Sequence, residues 1–168
     1  PGCTVSFGGS MTLEDTGMLT ALRHDPGITL LDRAQAKTPE ETKKIYHDAL
    51  SSDFYFMSTN AITKDGELVN IDGTGNRVAS LIYGPEHVIV MAGMNKVAAN
   101  VDEALSRVHG TATPMNCKRL GKNTPCSATG VCSDCLSPDC ICNQVVITRR
   151  SGIEGRIKVI LIGEELGY

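Results

Sequence analysis

The chain has 168 residues, of which 41% are hydrophobic, 21% charged and 4% aromatic, and a formal net charge of -3. That length suits one domain with a well-buried core, which in the absence of Trp must be built from Val, Ile, Leu, Met and Ala. The slight acidic balance excludes the electrostatic footprint of a nucleic-acid or anionic-membrane binder, and no apolar run approaches the roughly 20 residues needed to cross a bilayer.

The chain opens at Pro1-Gly2 without a Met or a signal-like segment, which reads as a truncated or processed N-terminus. Thr4-Val5-Ser6-Phe7 predicts a strand ending in Gly8-Gly9-Ser10, followed by a helix over about Leu13 to Leu22 capped by Thr12. Asp25-Pro26-Gly27 breaks the chain. Thr38, Pro39, Glu40 and Glu41 give the start signals of a helix running to about Leu50. Phe54 to Thr59 predicts a strand covered on both faces, and Lys64-Asp65-Gly66 a hairpin turn between Ala61–Thr63 and Glu67–Ile71. A helix from Arg77 capped by Asn76, a strand from His87 to Ala92 and a helix from about Ala98 to Arg107 follow. Gln144–Ile147 and Arg156–Ile162 read as two closing strands, paired as an edge hairpin. The alternation of strands and helices predicts an α/β fold with a mainly parallel sheet flanked by helices on both faces.

Four segments can carry chemistry. Gly8, Gly9 and Ser10 lie between a strand and a helix start, where backbone amides suit an anion. From Asn60 to Arg77 polar side chains crowd beside glycines: Asn60, Glu67, Asn70, Asp72, Gly73, Gly75, Asn76 and Arg77 exceed what a turn requires. Lys96 follows a buried strand and can hold an anionic ligand or sit on the surface. Six of the seven cysteines fall between Cys117 and Cys142. Such a dense cluster after a normal core favours metal ligation in a reducing, cytoplasmic compartment over a disulfide scaffold. Cys126, Cys132, Cys135 and Cys142, spaced C-x5-C-x2-C-x6-C, can supply four thiolates to zinc or an iron–sulfur cluster, with Cys140 able to replace Cys142. Free thiols and disulfides are the alternatives.

Several of these stretches together resemble the LUD domain of lactate-utilisation proteins in its short, single-domain form. The likeness rests on Thr4–Ser10, on Ser58–Ile62 with Asp65–Asn70, and on Asp72–Ala79. It continues through Met115-Asn116, Arg119-Leu120, Thr124–Cys126, Thr129-Gly130, Cys132, Asp134-Cys135, Ser137-Pro138 and Ile141–Asn143. The resemblance implies a fold similar to the ribose-5-phosphate isomerase, glucosamine-phosphate deaminase and CoA-transferase group, with the Asp72–Asn76 loop lining the site. It also implies a bacterial component of lactate oxidation to pyruvate, working with iron–sulfur oxidoreductase subunits. Two departures stand out: the family's helical segment and strand before Thr4 are missing, and Cys117 and Cys140 replace a small or basic residue, leaving Cys126, Cys132, Cys135 and Cys142 as the family-like set.

No dinucleotide-binding Gly-x-Gly-x-x-Gly follows a strand. The competing expectation is an isomerase or transferase acting on a small anionic metabolite. Glu67 or Asp72 would be its general base, with Gly8, Gly9, Ser10 and Lys96 holding the anion. A metal-stabilised interaction or redox-sensing module is the third. The oligomeric state is open, a homo-oligomer included.

Overall fold

The structure, a computed structural model, describes residues 2–168, so the truncation expected at Pro1 lies outside the described residues. Strand β1 (Cys3–Phe7) leads into helix α1 (Met11–Asp15), whose cap is Ser10 rather than Thr12: the Ser10 hydroxyl accepts from the Leu13 amide at 3.3 Å. The single helix expected to Leu22 is two helices, because Gly17 turns left-handed at φ 71° before α2 (Met18–His24). Strand β2 (Ile28–Leu31) was not anticipated, since four residues, three half-buried and Thr29 exposed, carry little periodic signal. Helix α3 (Pro39–Ala49) begins as the sequence dictates, with the Thr38 hydroxyl accepting from the Glu41 amide at 3.2 Å. Strand β3 (Phe54–Met57) and the hairpin β4 (Ala61–Thr63) and β5 (Leu68–Asp72) also stand where predicted.

Helix α4 (Asn76–Ile82) is capped by Gly75 at φ 93°, not by Asn76. After β6 (His87–Gly93) comes the two-residue strand β7 (Val97–Ala98), so the next helix, α5 (Val101–Arg107), starts later than expected. A π-helical stretch, Val108–Ala112, joins α5 to α6 (Thr113–Arg119). Pro114 lacks an amide and would crowd the carbonyl one turn back, and the wider π register accommodates it. Helix α7 (Pro125–Thr129) and strands β8 (Gln144–Thr148) and β9 (Ile157–Ile162) complete the chain.

The strands form two sheets. Five run parallel in the order β2-β1-β3-β6-β9, and four form a mixed sheet in the order β7-β4-β5-β8. The closing hairpin expected from the sequence is therefore absent. Strand β8 pairs antiparallel with β5, and β9 pairs parallel with β6 in the other sheet. Both faces of the parallel sheet are covered at its centre, while the edge strand β9 leaves Val159, Ile160 and Leu161 exposed. Tyr55 and Met57 of β3 pack with Ala49 of α3 and Leu81 of α4, while Phe54 and Phe56 face the cluster of Leu13, Leu19 and Leu22. Burying a side chain such as Leu13, fully inaccessible here, contributes about 2 kcal/mol. Helix α5 and the π-helical stretch after it cover the mixed sheet through Ala104 and Val108 against Ala61, Val69 and Ile71. Among the described residues, no helix is long and apolar enough to cross a membrane.

Arg156 locks β9 to α4. Its buried guanidinium donates to the carbonyls of Pro85, Leu81 and Ser80 at 2.9, 2.7 and 2.8 Å, satisfying the last turn of the helix. Arg156→Ala orphans three buried carbonyls, and a loss of about 2–3 kcal/mol is expected. A lower urea midpoint at unchanged m-value would record it; a midpoint within error of wild type would refute the assignment.

Candidate functional site

The carboxyl ends of β1, β3 and β6 open into one cleft of about 400 Å³, the position where open parallel sheets bind ligands. Gly9 and Ser10 after β1, Ser58, Thr59 and Asn60 after β3, and Lys96 after β6 line its floor. One wall is the Asp72–Asn76 loop, backed by Cys140, Ile141 and Asn143; the other carries Asn116, Arg119 and Tyr168. The register of β8 explains the first wall. Pairing Gln144 with Asp72 lays the end of the cysteine-rich segment against the loop.

Lys96 is the most distinctive group of the floor. It is 4% exposed, and its Nζ donates to Thr12 Oγ1 at 2.8 Å, Ser58 Oγ at 3.0 Å and the Thr59 carbonyl at 3.3 Å. All three acceptors are neutral, and Lys96 forms no ion pair among the described residues. Burial lowers its pKa to about 8, with Arg107 and Arg77 pushing the same way and Asp15 opposing. A buried ammonium without a counter-ion is costly, and an anion in the cleft would offset that cost.

Arg77 plays a different part. Its Nε pairs with Asp72 at 3.3 Å, Nη1 donates to the Ser58 carbonyl and Asn70 Oδ1, and Nη2 donates to Asn60 Oδ1 and the Ile71 carbonyl. Every N–H of the guanidinium is engaged, so Arg77 braces the floor rather than seizing a ligand. Gly8 is small for this reason: a Cβ there would stand 3.0 Å from Arg77 Cδ. At Gly9 a Cβ would fall 2.2 Å from Arg33 Nη2. Burial lowers the pKa of Arg77, against which the Asp72 carboxylate acts.

The residues singled out by sequence divide accordingly. Gly9, Ser10, Asn60, Asp72, Gly73, Asn76, Arg77 and Lys96 line the cleft. Gly8 and Asn70 stand behind it against Arg77, and the Gly75 amide donates to Asp72 Oδ1 at 2.7 Å. Glu67 is not brought there. It sits at the hairpin turn, where Thr63 Oγ1 donates to it at 3.2 Å. Asp72 has one oxygen on the Gly75 amide and the other on Arg77, so both carboxylate oxygens are already engaged.

Sequence reasoning missed the cations of the rim. Arg33 reaches Tyr46 Oη at 3.3 Å, and Lys122 stands 3.9 Å from Asp139. Arg119 holds Asn116 Oδ1 at 2.7 Å and the Tyr168 hydroxyl. The signal for Arg119 was its place beside Asn116 on one helix face; Arg33 sits in a short turn with no motif to mark it.

Four of the seven cysteines stand in two close pairs. All seven are free thiols. Cys126 is buried beside Thr124, 3.3 Å from its hydroxyl, and touches Cys117, whose thiol burial pushes up to about 11. Cys132 Sγ lies 3.5 Å from His109 Nδ1. Cys140 and Cys142 have their sulfurs 2.9 Å apart, and burial and then Cys140 push the Cys142 thiol up to about 12. Among the described residues, no group of three or more His, Cys, Asp or Glu side chains is arranged to hold a metal ion. Of the set Cys126, Cys132, Cys135 and Cys142, Cys126 is turned inward to Cys117, while Cys132 and Cys135 stand close enough to Cys142 to add to the upward push on its thiol.

Comparison with known proteins bears on these features. No curated protein matches the chain in sequence. Among solved structures, a DUF162 family protein from Deinococcus radiodurans aligns over 96% of this chain and 88% of its own at 12% identity, with a TM-score of 0.41. The family model described as the LUD domain matches residues 1–162, and the chain therefore belongs to the LUD domain family.

Proposed function

We propose that this LUD domain binds a small anionic metabolite in the cleft, and that it serves lactate oxidation to pyruvate as a cytoplasmic subunit presenting substrate to iron–sulfur oxidoreductase partners. The observation that carries the binding reading is Lys96: a buried ammonium on the cleft floor held only by neutral oxygens. The metabolic role rests on family membership. Arg33, Arg119 and Lys122 on the rim would draw the anion in and fix its orientation. All three N–H groups of the ammonium are engaged, so a carboxylate would replace the longest of these acceptors, the Thr59 carbonyl at 3.3 Å, and gain a charge-assisted hydrogen bond in a site of low dielectric.

The volume of the cleft, about 400 Å³, exceeds that of a three-carbon hydroxy acid, so the test set extends to sugar phosphates. Thermal unfolding with L-lactate, D-lactate, pyruvate, phosphate and ribose 5-phosphate tests the reading. At least one anion should raise the midpoint of wild type at millimolar concentration and leave that of Lys96→Met unmoved. No stabilisation by any of them would sink the binding reading.

A further inference from the structure

Cys140 lines the cleft and Cys142 packs behind it against the core of the mixed sheet, both half-buried, separated only by Ile141, with sulfurs 2.9 Å apart. Two thiolates sharing a tetrahedral ion at about 2.3 Å from the metal lie roughly 3.8 Å apart, whereas disulfide sulfurs lie about 2.05 Å apart. The observed spacing is too close for two ligands of one ion and only a small side-chain rotation from a bond. Cys140 also faces the cleft, which gives a small oxidant access to one sulfur while the other waits beside it.

We propose that Cys140 and Cys142 are a redox-active dithiol that closes to an intrachain disulfide when it meets a peroxide or a disulfide oxidant. With hydrogen peroxide, one sulfur attacks the O–O bond and becomes a sulfenic acid as the first water leaves. The second sulfur then displaces the hydroxyl, forming the S–S bond and releasing the second water. The two thiol protons leave in the waters, and a dithiol reductant reverses the reaction. A ring closed across a single residue is strained and hence readily reduced, which suits a switch rather than a structural cross-link.

The strain has a recipient. The Ile141 Cα stands 3.2 Å from where a Cβ on Gly73 would lie, and Asn143 Nδ2 donates to the Gly73 carbonyl at 3.0 Å. Drawing Cys140 and Cys142 together moves Ile141 between them, and the Gly73 loop rests on it. Oxidation therefore reshapes the wall of the cleft.

The test uses the intact chain, purified reduced and without air, then treated with stoichiometric hydrogen peroxide. After alkylation, peptide mass mapping should find Cys140 and Cys142 joined and lighter by two hydrogen atoms, the remaining cysteines alkylated, and the change reversed by dithiothreitol. Amide exchange over residues 73–76 should differ between the two forms. Cys140→Ser should leave Cys142 without a partner and abolish the product, with the reduced variant unfolding at the wild-type temperature. Joining of Cys132 to Cys135 instead, sulfinic acid without a disulfide, or stoichiometric zinc or iron held through Cys140 and Cys142 would each overturn the proposal. Unchanged exchange over residues 73–76 would overturn the coupling to the cleft.

Discussion

Above about pH 8, anion affinity at the cleft is expected to fall roughly tenfold per pH unit, and Lys96→Met should abolish that dependence while weakening binding at pH 7 by about a hundredfold. The first number follows from linkage. The pKa of Lys96 in the free protein is about 8, lowered first by burial and then by Arg107 and Arg77. A ligand that needs the ammonium must bind a fraction of the protein that declines tenfold per unit above that value. The second follows from losing a charge-assisted hydrogen bond of about 3 kcal/mol. Lactate is the suitable probe, because its carboxylate does not titrate in this range.

The same shift has a sign for stability. The folded pKa lies below the ordinary lysine value of 10.5, so folding disfavours the charged form. The penalty is fully present below about pH 8, is relieved as pH rises toward 10.5, and amounts to about 3 kcal/mol. Cys117 and Cys142, both pushed upward, lose stability in an overlapping window, so only the difference between wild type and Lys96→Met isolates the lysine. Titration calorimetry from pH 7 to 10 supplies the affinities. A wild-type slope no steeper than that of Lys96→Met would remove Lys96 from the binding site.

How much of this was legible follows from where each signal lives. Local chemistry was readable: Thr38-Pro39 set α3, Lys64-Asp65-Gly66 set the hairpin, and glycines after β1 marked one lip of the cleft. Pairing across the chain was not. Strands β8 and β9 adjoin in sequence and separate into different sheets, because Asp72 and Gly93 offer edges that no local pattern in β8 or β9 encodes. That choice also brings Ile141 to Gly73, so the cysteine segment became part of the cleft wall through register alone.

The residue types of the site were legible and their duties were not. Lys96 and Arg77 both read as cations beside glycines, and only geometry separates them: one is met by neutral oxygens, the other by a full set of acceptors including Asp72. Glu67 and Asp72 likewise looked alike as acids. The hairpin register carries Glu67 to the turn and Asp72 to the cleft. Cysteine spacing is compatible with a tetrad, yet the burial of Cys126 at 7% exposure beside Cys117 divides the set, a packing decision that spacing cannot express.

The largest stability effect is expected at Arg77. Arg77→Ala should cost about 3–5 kcal/mol, because it leaves Asp72 as an uncompensated buried carboxylate and strips donors from four further oxygens. The damage would be shared by β3, β5 and the loop ahead of α4, since Ser58, Asn70, Ile71 and Asp72 all meet at this one side chain. Arg77→Lys keeps the charge but supplies three donors from a single atom where a planar fork supplied five, so it should recover only part of the loss. Pairing Arg77→Ala with Asp72→Asn separates charge from packing. If the buried carboxylate is the main cost, the double variant should be more stable than Arg77→Ala alone, and a double-mutant cycle from urea unfolding should give a coupling of about 1–3 kcal/mol. Purely additive losses would mean that Asp72 is solvated in the variant and that Arg77 acts through its hydrogen bonds to Ser58, Asn60, Asn70 and Ile71 alone.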